Sequence, residues 1–292
     1  DNISEVMDSY TPKFVEKGYA LKLIHQENGG QSVAINNGLK MIKGDFLVWP
    51  DADDWYATAD ALEKLYAAFQ QNGDNVGVVR CLLNYYRDQT FQKVRSFQPT
   101  SAHFEEDQFE KCLFGQSYWF QPGDYMVKTT TLFENIPNGE IYTEKRAGQN
   151  WQLMLPMLYK QRCITVNEHL YNVLERTNSH SRPVNESFAS RVGQIDAYQN
   201  TIFSTLDRMV KMPDHEREKY KRIVEDRYIK EKYLLSYRKG TKVDQQHYAS
   251  LVDERNIVVE STTLFLAKHR YISYLLQLPQ RIASKVKRMF FK

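Results

Sequence analysis

The 292-residue sequence has no uninterrupted apolar run close to the roughly 20 residues that a membrane-spanning helix requires. It has only three cysteines, Cys81, Cys112 and Cys163, which are widely spaced and include no CxxC pair. A disulfide scaffold and a cysteine-based zinc site are therefore excluded, and we interpret the three as buried thiols in a reducing compartment. With 42% hydrophobic and 26% charged residues, the composition is that of a globular protein and excludes a disordered chain.

Acidic residues are absent after Glu260, although seven basic residues follow it: Lys268, Arg270, Arg281, Lys285, Lys287, Arg288 and Lys292. The other 32 basic residues and all 36 acidic residues lie in residues 1–260, which carry a net charge of −4. The body of the chain therefore offers no electrostatic case for nucleic acid binding. The tail, at +7, favours an anionic partner.

The first half of the sequence alternates strand and helix patterns. Helices are predicted over 1–16, 31–42 and 59–71, and strands over 20–24, 45–50 and 75–84. This order predicts an α/β fold with some parallel strand pairing.

The second half begins irregularly and ends as helices. Residues 91–127 are aromatic-rich and irregular, and a helix over 151–159 precedes strands over 163–166 and 170–174. After Gly193 the sequence predicts three or four amphipathic helices, with breaks near Met212-Pro213 and Lys239-Gly240. We therefore expect two regions, an α/β domain over 1–190 and a helical region over 191–292.

The acidic string Asp51-Ala52-Asp53-Asp54 directly follows the predicted strand over 45–50. In open α/β sheets ligands bind at the carboxyl ends of strands, and clustered carboxylates suit Mg²⁺ or Mn²⁺. A turn that caps the next helix through Asp54 or Thr58 is the alternative. A phosphatase of the haloacid dehalogenase type, with Asp51 as nucleophile, is a second alternative, to which Trp55-Tyr56 fits poorly.

Residues 25–56, HQENGGQSVAINNGLKMIKGDFLVWPDADDWY, resemble the central segment of glycosyltransferase family 2, which has the GT-A fold. The resemblance implies a Rossmann-like mixed sheet, with Asp51 near the ribose and Asp53 on a metal that bridges the donor diphosphate. It also implies that Gly29, Gly30 and Asn36 lie near the nucleotide. The family usually has Arg where this chain has Ile35. Members of the family open with a strand, a helix and a second strand, and Asp1-Asn2 resembles the end of that second strand's motif; we therefore expect an N-terminally truncated domain.

The family's general base is the last carboxylate of a Glu-Asp pair that opens a helix. The matching residues here are Gln149-Asn150, followed by Trp151. An amide cannot accept the acceptor's proton. Three alternatives stay open: Glu144 substitutes as base, Asn150 orients the acceptor, or the protein is not an active transferase. We assign Glu144 and Asn150 to catalysis, and Gln149 and Trp151 to the acceptor.

Two further assignments follow from the resemblance. His180 is expected to reach the metal or diphosphate, with Arg176 or Arg182 adding positive charge; a surface-loop histidine is the alternative. The aromatic stretch 118–120, with Trp119, is expected to stack on an acceptor sugar, and a place in the core is the alternative.

The sequence of residues 281–292 predicts an amphipathic helix. Ile282, Val286, Met289 and Phe290 fall on one face, and basic residues flank them. We interpret it as an interfacial helix on an anionic bilayer, and a packing helix with a solvated basic side is the alternative.

Together with this resemblance, the sequence predicts a cytoplasmic, peripherally membrane-bound bacterial glycosyltransferase of inverting mechanism. It would use Mn²⁺ or Mg²⁺ to move a sugar from a UDP-linked donor to a glycan or lipid-linked acceptor in surface polysaccharide synthesis. A non-catalytic nucleotide- or glycan-binding homologue is the alternative.

Overall fold

A computed structural model of the chain describes residues 2–119, 121–144, 147–176 and 187–269. The predictions for His180, Arg182 and the helix over 281–292 lie outside these residues. None of the helices within these ranges combines the length and the apolar composition that a membrane span requires.

Ten helices are described: α1 (Ile3–Glu16), α2 (Gln31–Leu39), α3 (Ala61–Asn72), α4 (Phe109–Phe114), α5 (Thr129–Asn135), α6 (Gln149–Leu158), α7 (Phe188–Arg208), α8 (Asp214–Lys239), α9 (Lys242–Glu254) and α10 (Ser261–Lys268). Six strands accompany them: β1 (Phe46–Leu47), β2 (Trp55–Tyr56), β3 (Val76–Arg87), β4 (Lys93–Ser96), β5 (Tyr125–Lys128) and β6 (Arg162–Glu175).

The strands form one mixed sheet in the order β1-β5-β3-β6-β2, with β4 paired to β3. The long central pair, β3 and β6, is parallel, and the other pairs are antiparallel. Mixed α/β architecture with partial parallel pairing was the prediction, and it is confirmed. The two strands predicted over 163–166 and 170–174 are one strand, β6. Its pairing with β3 shifts register between them, but the strand does not end there.

Helices with a clear apolar period lie where they are predicted. In α3 the buried residues Ala61, Leu65, Ala68 and Phe69 recur at helical spacing, and the helix ends before Gly73, whose φ is +85°. The C-terminal helices α7 to α10 are confirmed, with breaks at the two predicted positions.

The prediction of a strand over 20–24 is wrong. These residues belong to no strand, and Leu23 and Ile24 are 40% and 46% exposed. The strand predicted over 45–50 is ladder-paired only at Phe46–Leu47. A strand requires a partner for its backbone groups, and the described residues place no partner beside 20–24.

The sheet separates two hydrophobic clusters. Consecutive β3 residues face opposite ways, so that Val78 enters one cluster and Val79 enters the other. The first cluster also contains Leu155 of α6 together with Ile202 and Leu206 of α7. The α/β region and the C-terminal helices therefore share a core.

All three cysteines are buried free thiols, as predicted. Cys81 lies in the second cluster, and Cys112 and Cys163 lie in the first.

Two charged residues, Arg80 and Asp124, are buried beside this core, and both are 0% exposed. The Arg80 guanidinium lies 3.8 Å from the centre of the Trp119 ring and donates to the Thr165 hydroxyl and the His103 carbonyl. Asp124 accepts a hydrogen bond from the Trp119 indole N–H. Burial raises the pKa of the Asp124 carboxyl well above its usual range.

We expect Asp124→Asn to remove a pH-dependent loss of stability. A raised pKa means that the folded chain keeps this proton to higher pH than the unfolded chain does. The associated stability is present below the unfolded pKa, about 4, and is lost as pH rises, by at most about 1.4 kcal/mol per pH unit. Urea unfolding at pH 5, 6, 7 and 8 measures this. The free energy of unfolding of Asp124→Asn, relative to that of the wild type, should increase as pH rises. Two curves that stay parallel across this range would contradict the assignment.

Candidate functional site

The acidic turn, Asp51 to Asp54, connects β1 to β2 at one end of the sheet. The Asp54 N–H donates to the Asp51 carbonyl at 3.1 Å, which closes the turn. Because β2 pairs with the last residues of β6, the turn lies near the carboxyl end of that strand. Burial, and then the neighbouring charge of Asp53, raise the pKa of Asp51. The carboxylates are therefore close enough to repel one another.

Asp54 is held inside the protein by both of its carboxylate oxygens. One oxygen accepts from the Leu174 backbone N–H and the other from the Gln121 side-chain amide, each at 2.9 Å. Burial is the main cause that raises the pKa of Asp54 to about 6, and the Asp53 and Asp51 charges add to it. Asp54 thus ties the acidic turn to β6 and to the segment before β5.

Asp54 and Thr58 do not cap the helix that follows the acidic turn, so the structure does not support the capping alternative. Helix α3 begins at Ala61 after Asp60, and no side chain caps it. Asp54 instead bonds Leu174 and Gln121.

Asp53 forms an ion pair with Arg176, at 2.7 Å between the carboxylate and Nε. The Asp53 side chain is 29% exposed and the Arg176 side chain 60% exposed, so both reach solvent. A cationic group therefore already sits on the carboxylate that the sequence assigns to a metal.

This donor set fits a divalent cation in an open site. Asp51 and Asp53 are the carboxylates left for a cation, because both Asp54 oxygens accept hydrogen bonds inside the protein, and Arg176 neutralises only Asp53. Within the described ranges, no group of three or more His, Cys, Asp or Glu side chains is arranged to hold a metal ion. Mg²⁺ and Mn²⁺ suit such a place, because one or two carboxylates hold them while phosphate oxygens and water complete the shell. His180 lies outside the described residues.

The glycine turn, Asn28-Gly29-Gly30, opens α2. The Gly30 N–H donates to the Asn28 side-chain oxygen at 3.1 Å, and Gly30 has φ +81°, a conformation that favours glycine. Beside it lies a cleft of about 460 Å³ whose lining includes Ile24, Asn28, Gly30 and Gln31. The turn thus presents backbone groups to an open cleft.

The Asn36 side chain forms hydrogen bonds within the protein. Its amide donates to the Ile141 carbonyl and accepts from the Ile141 N–H, at 3.0 and 2.8 Å. Ser32, also on α2, donates to the Ala147 carbonyl at 2.8 Å. Helix α2 therefore holds both ends of the loop that carries the exposed residue Glu144, and in this structure the Asn36 amide contacts that loop.

Residues 149–151 open α6 at the end of the same loop. Gln149 is 3% exposed and its side-chain oxygen has no hydrogen-bond partner. Asn150 is half-buried. The Trp151 indole N–H donates to the Cys112 carbonyl at 2.9 Å, and its ring packs edge-on against Tyr198 of α7. Trp151 therefore joins α6 to its neighbours.

Trp119 lies in the core. It is 8% exposed, and its ring packs against Phe97, His103 and the Arg80 guanidinium. A ring enclosed in this way offers no free face to a sugar. The structure favours the core alternative for this residue.

Sequence patterns missed several residues of this region. Gln121 was assigned no contact, yet it bonds Asp54 across 67 residues of sequence. Tyr171 was placed in a strand only, yet its buried hydroxyl lies against Gly123. Neither residue has a local spacing that identifies its partner. For Trp55, the position directly after the acidic turn was the only feature of the sequence that could have indicated a place in the site.

Comparisons with known proteins agree with these features. Residues 1–132 match the family model described as glycosyl transferase family 2. The Bacillus subtilis protein EpsH, named as a glycosyltransferase, is 26% identical over 139 residues, which are 48% of this chain and 34% of EpsH. The Streptococcus pneumoniae glycosyltransferase GlyG is 24% identical over 191 residues, which cover 61% of this chain and 59% of GlyG. The chain thus spans about a third of EpsH and under two thirds of GlyG.

Among solved structures, S. aureus TarS in complex with UDP-GlcNAc superposes with a TM-score of 0.51 and 13% sequence identity. The superposition covers 90% of this chain and 76% of the TarS chain. The likeness shows that this chain has the GT-A fold. Together with the match over 1–132, it favours the transferase interpretation over the phosphatase alternative.

Proposed function

We propose that this chain, whose residues 1–132 match the model of glycosyl transferase family 2, transfers a sugar from a nucleotide-diphosphate donor to a saccharide acceptor. The observation that carries the proposal is the acidic turn at the end of β6, with Asp53 paired to Arg176 at 2.7 Å. This arrangement supplies anionic ligands for a cation and a guanidinium for a phosphate at one place.

We propose that Asp53, with Asp51 beside it, holds Mn²⁺ or Mg²⁺, and that Asp51 and the glycine turn bind the nucleotide. A bound divalent cation neutralises the charge that develops on the departing diphosphate. The Arg176 guanidinium would add positive charge beside the same diphosphate. His180, four residues further along the sequence, is proposed as a further ligand.

The acceptor hydroxyl must lose its proton as its oxygen bonds to the anomeric carbon and the carbon–oxygen bond to the diphosphate breaks. We propose Glu144 as the base that takes this proton, because it is exposed on a loop that Asn36 and Ser32 anchor. Asn150 would orient the hydroxyl. Attack from the face opposite the diphosphate gives inversion.

A non-catalytic binding protein is the second candidate. The buried amide of Gln149 and the half-buried amide of Asn150 occupy the positions of the family's carboxylates, and neither amide accepts a proton. Both candidates bind the nucleotide, so only turnover separates them.

Calorimetric titration of UDP with and without Mn²⁺ tests the donor site that both candidates share. The proposal predicts binding that requires Mn²⁺ and is competed by UDP-GlcNAc, the donor bound in the TarS structure. Equal heats with Mn²⁺ and with EDTA would contradict a metal-assisted donor site.

We propose that the basic C-terminal sequence holds the protein at the inner face of the cell membrane, where a lipid-linked acceptor would lie. Residues 261–292 carry seven basic and no acidic residues, and each basic residue near an anionic surface contributes about 1 kcal/mol.

Deletion of residues 270–292 should weaken binding to vesicles of phosphatidylglycerol and phosphatidylcholine and leave Mn²⁺–UDP binding unchanged. Vesicle cosedimentation at 0.1 and 0.5 M NaCl measures this, because salt screens the electrostatic part. Equal vesicle binding by the full and shortened chains would count against the membrane role.

A further inference from the structure

Three aromatic rings cluster where the β3–β4 hairpin meets β2. The Trp55 ring lies 5.0 Å from the Tyr86 ring and 6.3 Å from the Phe91 ring, measured between centroids. Trp55 and Tyr86 are half-buried, and Phe91 is 62% exposed. We call these three residues the aromatic platform.

The platform lies at the same end of the sheet as the acidic turn. Trp55 directly follows Asp54 in sequence and is opposite Asn172 of β6. Tyr86 is opposite Leu174, two residues before Arg176, which pairs with Asp53. Residues that lie opposite one another in neighbouring strands share a face of the sheet. The platform therefore borders the proposed reaction centre.

Phe91 has a backbone conformation that its own side chain does not favour. It is the fourth residue of the five-residue loop between β3 and β4, where its N–H donates to the Arg87 carbonyl at 2.8 Å, and its φ is +50°. Glycine or asparagine usually occupies such a position, and a bulky residue there is an outlier. Because the residue is 62% exposed, core packing does not account for this conformation, and a residue held in this way is a candidate for binding.

The sheet beneath this face carries a buried polar pair. Asn84 and Asn172 lie on the same face of the sheet as Tyr86 and Trp55, and their side-chain amides bond each other at 3.0 Å. Both residues are buried, so the aromatic rings are what this place offers to a ligand. A pyranose ring presents an apolar C–H face, which exposed aromatic rings match.

We propose that Trp55, Tyr86 and Phe91 form a subsite that stacks on a pyranose ring of the acceptor glycan. This inference rests on the proposed function, and it names the part of the site that holds the acceptor. It replaces Trp119, whose buried ring has no free face. The glycine turn and α2, which carry the residues assigned to the donor, precede the acidic turn in sequence, whereas the platform is built from the strands that follow it.

Saturation-transfer NMR on the full chain tests the platform. The probes are maltopentaose, chitopentaose and β-1,4-galactotetraose, each at millimolar concentration. Stacking on an aromatic face needs no particular hydroxyl pattern, so we expect saturation of ring C–H protons in at least one probe. Phe91→Ala should reduce the signal by about fivefold, which is the usual range for one aromatic contact, and Phe91→Tyr should restore it.

Tyr19→Ala is the matched control, because Tyr19 is 63% exposed and is not part of the platform. Its signal should equal that of the wild type. The absence of saturation from all three probes would overturn the proposal, as would equal saturation in Phe91→Ala and wild type.

Titration of the same proteins with UDP and Mn²⁺ distinguishes a failure of the platform proposal from a failure of the donor-site proposal. The platform proposal expects Phe91→Ala to bind UDP as the wild type does. If the wild type binds UDP and no saccharide, the platform fails and the donor site stands. If the wild type binds saccharides and no UDP, the donor assignment fails.

Discussion

Replacing Asp53 with Asn is expected to lower the Mn²⁺-dependent affinity for UDP by at least about 100-fold, since loss of even an indirect metal partner costs 10- to 100-fold. The amide keeps the shape of the side chain but supplies no negative charge to a cation. It also removes the ion pair that holds Arg176 at 2.7 Å. Calorimetric titration of UDP in Mn²⁺, compared with EDTA, measures the loss.

Asp74→Asn is the control for this variant, because Asp74 is an exposed carboxylate in the turn between α3 and β3. It should bind UDP as the wild type does. Because Asp53 is partly exposed, Asp53→Asn should keep the far-ultraviolet circular dichroism spectrum of the wild type. Unchanged Mn²⁺-dependent affinity in a folded Asp53→Asn protein would contradict the ligand assignment.

Gly123→Ala is expected to destabilise the fold by about 3 kcal/mol or more, the range of severe overpacking. Gly123 has φ +93°, which alanine rarely adopts, and an added Cβ would lie 2.1 Å from the Tyr171 hydroxyl oxygen. Tyr171 is 0% exposed on β6, so its ring has no room to withdraw. Gly123 is also two residues from Gln121, which bonds Asp54, so the acidic turn should loosen too.

Urea unfolding of Gly123→Ala beside Gly38→Ala separates this clash from a general effect of glycine replacement. Gly38 lies inside α2, and an added Cβ there meets no atom within 4 Å. Gly38→Ala should therefore gain about 0.5 to 1 kcal/mol from helix propensity. A Gly123→Ala protein as stable as the wild type would show that Tyr171 does not pack against this position.

Elements with a complete local pattern could be predicted from the sequence. Helix α3 has four buried residues at helical spacing, and the glycine that ends it follows at once. The acidic turn was predictable as well, because Asp51, Asp53 and Asp54 follow an apolar stretch within four positions. Such features depend on neighbours in the chain, which the sequence states directly.

Features that depend on distant partners could not be predicted in this way. The segment 20–24 has a strand-like composition, but strand pairing requires a neighbour that the local pattern does not reveal. The roles of Gln121 and Asn36 depend on contacts with residues 67 and 105 positions away. Trp119 shows the same limit, because an aromatic residue in an irregular stretch suits a sugar platform and a core equally, and burial decides between them.

The measurement that tests the transferase proposal most directly is turnover of the donor by the full chain. UDP-GlcNAc, UDP-glucose and UDP-galactose would be incubated with Mn²⁺, and mass spectrometry would follow UDP and the released or transferred sugar. We predict that at least one donor yields UDP and sugar at a rate that requires Mn²⁺ and falls to background in Asp53→Asn. Binding of UDP with no turnover of any donor would contradict the transferase proposal and favour the non-catalytic alternative.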